Sequence, residues 1–67
     1  MTLETGTEVW ALVDLITEAG DIIPIGSLGN IVGWQDQDPI VTFEGGTVVA
    51  HRWEIRARDA KRSWGTR

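Results

Sequence analysis

Apolar residues in this chain come in short runs separated by glycine, proline and acidic turns, and only one run keeps a helical period. That run, Glu8–Ile16, fits two templates. Val9, Leu12, Val13 and Ile16 fall at helical spacing behind a Thr5/Glu8 pair that matches a capping box. Val9, Ala11, Val13 and Leu15 fit equally well as one face of a strand. From Gly20 onward the pattern is β. Asn30–Trp34 is a β-rich run, Gln35–Pro39 a polar turn, and Ile40–Phe43 a second run. Glu44–Thr47 reads as a tight hairpin, because paired glycines supply the positive φ such turns require, and Thr47–Ala50 returns as its partner. Short strands at this spacing predict a small barrel or sandwich, with an α+β fold as the alternative.

Particular residues sharpen that expectation. Val9-x-Ala11-Leu12-x-Asp14, then Ile23-Pro24-x-Gly26-x-x-Gly29-x-Ile31-Val32, then Pro39-x-Val41-x-Phe43-x-Gly45-Gly46 and Ile55-Arg56 span residues 8–57. This string resembles small bacterial domains with the Src-homology-3-like barrel, which are similar to Tudor-like and KOW-type modules. The resemblance implies an all-β, small five-stranded barrel. Its first strand is followed by a long loop, Thr17–Ile25, and the Pro24–Gly29 turn leads into the second strand. A hairpin through Gly45-Gly46 follows, then a one-turn helix at about His51–Glu54 that sends Ile55 into the core before a short last strand. It implies accessory roles: docking on larger enzymes, clasping redox partners, or binding polymerase, ribosome or nucleic acid. Peptide-binding eukaryotic relatives line their groove with tyrosines, and this chain has none. The expected organisation is a loose lead-in over 1–7, a barrel domain over 8–58, and a flexible basic C-terminal tail over 59–67.

Sixty-seven residues make one small domain with a marginal core, too small for a deep cleft between lobes. Without cysteine there is no disulfide framework or thiolate metal site. No apolar run is long enough to span a membrane, and the N-terminus lacks a signal-peptide pattern, so a soluble cytoplasmic protein is expected. The net charge of −4 hides a polarity. Residues 1–51 carry eight acids and neither Lys nor Arg, whereas residues 52–67 hold all six basic residues against Glu54 and Asp59. Such asymmetry suits a charge-steered partner or a polyanion-seeking tail, or simply a tail that neutralises its own body.

Catalytic constellations are weak. One histidine, His51, and the serines Ser27 and Ser63 carry no spacing that marks a triad. Asp36 and Asp38 sit in a turn with no apolar shelter to suit acid–base work, and they lack the glycine and distal glutamate of a calcium loop. Gly26-x-x-Gly29 enters a strand rather than a helix and has no accompanying lysine, which excludes a phosphate loop. No catalytic residue, metal or cofactor is expected.

The four tryptophans are the informative residues. Trp10 suits core or surface equally, while Trp34, Trp53 and Trp64 are candidate partner anchors, since aromatics are enriched where partners dock. Arg52-Trp53-x-x-Arg56-x-Arg58 and Lys61-Arg62-x-Trp64 also interleave cations with aromatics as single-strand binders do, although the acidic body opposes a polyanion. The leading expectation is a non-enzymatic accessory or regulatory subunit. It would dock on a larger protein complex through Trp34, Asp36, Asp38, Arg52, Trp53, Arg56, Arg62 and Trp64. Weak nucleic-acid contact through the tail is the alternative, with a phage-type inhibitor bearing an acidic mimic surface a third. Homo-oligomer formation remains open.

Overall fold

Strand alternation decides the first element. In the computed structural model, which describes residues 3–58, β1 (Glu8–Ala11) buries Val9 and Ala11 and turns Glu8 and Trp10 outward. The helical reading of Glu8–Ile16 is thereby overturned: the chain bends at Leu12–Val13, and Leu15 re-enters the core from β2 (Leu15–Ile16).

The expected long loop after it is structured. β3 (Ile22–Ile23) lies inside Thr17–Ile25 and pairs antiparallel with β2, Leu15 opposite Ile23 and Ile16 opposite Ile22. The first pair is buried and the second exposed, as a period of two requires. Thr17 closes this hairpin: its Oγ1 accepts the Asp21 N–H at 3.0 Å, and its own N–H donates to the Asp21 carbonyl at 2.8 Å.

The Pro24–Gly26 turn is braced from a distance along the chain. Asp14 Oδ1 accepts the Ile25 N–H at 2.8 Å, and the Gly26 N–H donates to the Ala11 carbonyl at 2.7 Å. Gly26 sits at φ +90°, a conformation that L side chains rarely adopt. The Ala11-x-x-Asp14 and Pro24-x-Gly26 signatures are thus two halves of one corner.

β4 (Leu28–Gln35), β5 (Asp38–Phe43) and β6 (Gly46–Val49) form an antiparallel meander. The polar turn shrinks to Asp36–Gln37, because Gln35 and Asp38 face each other as the last ladder pair. Asp36 takes φ 57°, which Asp tolerates better than most side chains. Pro39 lies buried inside β5; its carbonyl accepts the Ala50 N–H at 2.9 Å, so its missing donor falls just past the end of β6. The hairpin turn is Glu44–Gly45, and Gly46 already belongs to β6. A single 3-10 turn, Arg52–Glu54, then leads into β7 (Ile55–Ala57). Glu54 Oε1 accepts the His51 N–H at 2.9 Å, which ties the entry of that turn.

The described residues are therefore mostly β, with seven strands among them where five were expected. They form a five-stranded sheet in the order β6-β5-β4-β1-β7 and a two-stranded ribbon, β2-β3. No ladder joins β6 to β7, so the hydrogen bonding among the described residues does not close a barrel. The lead-in is not loose throughout: the Gly6 N–H donates to the Ile31 carbonyl, Ile31 N–H returns to Thr7, and Leu3 packs on the core. That core holds Val9, Ala11, Leu15, Ile23, Ile31, Val41, Phe43, Val48, Ala50 and Ile55, with Ile55 placed as expected. Gly29 lets Phe43 into it, since a Cβ there would lie 2.7 Å from the Phe43 ring and from the Thr42 carbonyl. No helix in the described residues is long and apolar enough to cross a membrane.

Candidate functional site

The β4–β5 hairpin and the 3-10 turn meet at one end of the sheet and carry five of the expected partner residues, Trp34, Asp36, Asp38, Arg52 and Trp53. Trp34 lies opposite Pro39 near the end of β4, half-buried against the core. The Arg52 guanidinium carbon stands 5.6 Å from the Trp34 ring centroid, within cation–π range, and Arg52 Nε donates to the Gln37 carbonyl at 3.3 Å. Arg52 thus ties the turn before β7 to the β4–β5 hairpin and roofs the ring that the core leaves open.

The other side of this turn carries the exposed aromatic. Trp53 is 69% exposed, and the His51 ring stacks on it with centroids 5.4 Å apart and planes 12° from parallel. His51 Nδ1 lies 3.5 Å from Asp38 Oδ1. Asp38, His51 and Trp53 thus lie side by side on this surface. Asp36 is exposed at the hairpin tip beside these groups in sequence.

Arg56 belongs elsewhere. It is exposed on β7 opposite Trp10, on a neighbouring ladder. There a second stack forms: the Arg58 guanidinium lies 5.8 Å from the Trp10 ring centroid and its Nη1 donates to Glu8 Oε1 at 3.1 Å. Sequence reasoning missed this group, although Glu8-x-Trp10 and Arg56-x-Arg58 carry the signal in their period of two. It weighed His51 only as a catalytic candidate, because its place beside Asp38 and Trp53 depends on chain pairing that local sequence does not reveal. Arg62 and Trp64 lie outside the described residues.

The chemistry on offer is stacking and charge. Among the described residues, no three His, Asp or Glu side chains come together in a way that could hold a metal ion. Every buried side-chain nitrogen or oxygen there has a hydrogen-bond partner. No family model matches the chain, and no curated protein or solved structure matches it.

Proposed function

We propose that this chain is a non-enzymatic accessory or regulatory subunit that docks on a larger protein through the Trp34–Arg52–His51–Trp53 end of the sheet. The observation that carries this reading is Trp53, 69% exposed yet held in a stack by His51. A large aromatic exposed to solvent fits an anchor for a partner pocket. Trp34 would add area once Arg52 swings off its face, and Asp36, Asp38 and the acidic body would steer a basic partner surface. Arg56 and the segment with Arg62 and Trp64 would lie at the margin of such an interface.

A Src-homology-3-like barrel is the architecture we assign to this subunit. The strand order β7-β1-β4-β5-β6 supports it, as do the β2–β3 excursion after the first strand and the 3-10 turn before the last. Nucleic-acid contact is the weaker reading, because Arg52 and Arg58 lay their guanidinium faces on the chain's own tryptophans.

Comparative capture from host lysate tests the docking reading, using tagged full-length protein and its Trp53→Ala variant after nuclease treatment. The expected result is a protein retained by the wild type and reduced about tenfold or more by the substitution, the loss typical of a hot-spot aromatic. Equal capture by both, or capture that vanishes with nuclease, would overturn it.

A further inference from the structure

Gly33 is a glycine that β4 does not need for its own geometry. Of the other strand glycines, Gly29 makes room for Phe43 and Gly46 holds a positive φ, whereas Gly33 has neither a left-handed backbone nor a crowded neighbour. A Cβ there would meet one atom among the described residues, Ile40 Cδ1 at 3.8 Å, which is ordinary contact. Glycine inside a strand weakens it, and it commonly marks a place where another group comes close. The register shift between Ile31 and Gly33 explains what is bared. Ile31 and Trp34 both turn to the core, so Val32 and Gly33 lie together on the outer face of the sheet. Ile40 stands opposite Gly33, and Val49 opposite Ile40. Val32 is 52% exposed and Val49 43%. An apolar shelf thus crosses three strands, with a bare floor at Gly33.

The backbone at Arg58 is aimed toward this shelf. The Arg58 N–H donates to the Glu8 carbonyl at 2.9 Å, and β7 runs antiparallel to β1, so the chain there is directed toward Thr7. The Thr7 carbonyl accepts the N–H of Ile31, the residue before Val32, at 3.0 Å. Since Glu8 pairs with Asn30, Val32 lies two strands across and two residues along from Arg58, about 12 Å by strand spacing and rise. Trp64 follows Arg58 by six residues, a reach of about 20 Å. Charge favours a return as well. Residues 59–67 carry Lys61, Arg62 and Arg67 against Asp59, whereas residues 3–58 carry nine acids against Arg52, Arg56 and Arg58. Glu4 is exposed in the lead-in, and its carbonyl accepts the Thr7 N–H at 3.0 Å, which keeps it close to the path from Arg58 to Val32.

From these observations we infer that residues 59–64 fold back across the sheet of their own chain and lay the Trp64 indole on the Gly33 floor, between Val32 and Ile40, with Lys61 and Arg62 passing Glu4. The five linking residues hold the indole at an effective concentration of about millimolar, an advantage that neither a second copy nor a separate partner has. Any larger side chain at position 33 would lift the ring off the shelf, which gives the glycine its use. The shelf takes in no part of Trp53, so this inference and the docking reading stand or fall separately.

Nuclear Overhauser effects between the Trp64 indole and the methyl groups of Val32 and Ile40, measured in the full-length chain, test it. The expected result is that these contacts are present and keep their intensity on dilution, as an intramolecular contact must. Gly33→Val suits a strand and meets open space, so it should fold, and it should abolish the contacts by filling the floor. Trp64→Ala removes only the ring, and it should shift the Val32 and Ile40 methyl resonances while leaving those of Val9 and Val41 in the core unmoved. Absent contacts, contacts that fade on dilution because a second copy supplies the ring, or contacts that survive in Gly33→Val would each overturn the inference. Val32 and Ile40 resonances unmoved by Trp64→Ala would overturn it without relying on the fold of the valine variant.

Discussion

The Arg52 guanidinium covers the face of Trp34 at 5.6 Å while its Nε donates to the Gln37 carbonyl, so one side chain fastens the turn before the last strand to the β4–β5 hairpin. Arg52→Ala should remove both contacts and lower stability by about 1 kcal/mol in denaturant unfolding, the scale of one partly exposed cation–π contact and one exposed hydrogen bond. Arg52→Lys keeps the charge but loses the flat guanidinium, and should fall between the two. Faster solvent exchange of the Trp34 indole N–H in the alanine variant would confirm that the ring has been uncovered.

Gly29 and Phe43 set a steric prediction. A Cβ at position 29 meets the Phe43 ring and the Thr42 carbonyl at 2.7 Å, and the second of these is backbone that cannot rotate away. Gly29→Ala should cost about 2 kcal/mol or more through overpacking, although alanine suits an ordinary strand better than glycine. Thermal unfolding measures it. A neutral result would mean that β4 and β5 can separate at this pair.

Asp14 supplies a contact between residues eleven apart in sequence. Asp14→Ala should cost about 1 kcal/mol, at the low end for a charge-assisted bond because the site is exposed. Asp14→Asn retains an acceptor and should recover most of it. Amide exchange at Ile25 reads the bond directly.

The Arg58–Glu8 pair should matter little. Both side chains are about half exposed, and ion pairs of that kind contribute about 0–1 kcal/mol. Glu8→Gln should shift stability by less than Asp14→Ala does, and the difference should shrink further in high salt.

The legible parts of this fold were those where turn chemistry is local. Gly45-Gly46 and the Asp36–Gln37 region could be placed from neighbouring residues, whereas the short turn before Ile55 was expected only from the resemblance to Src-homology-3-like barrels. β2 and β3 could not, because two residues each give no measurable alternation, and their pairing is fixed by Thr17 and by burial of Leu15 on Ile23. The Thr5/Glu8 capping pattern was misleading: pairing of β1 with both β4 and β7 outweighs a weak helical preference. At the candidate site, the tryptophan excess drew attention to Trp34 and Trp53. The place of His51 there stayed hidden because its partners, Asp38 and Trp53, converge only when β5 and the 3-10 turn come together.

Photo-crosslinking from position 53 tests the central claim most directly. A photoreactive phenylalanine analogue replaces Trp53 in the full-length protein expressed in its host, with Val32, exposed on β4, as the control position. The account predicts a discrete protein adduct from position 53 that persists after nuclease and is absent from position 32. Adducts equal at both positions, or adducts at 53 that are digested by nuclease, would contradict it.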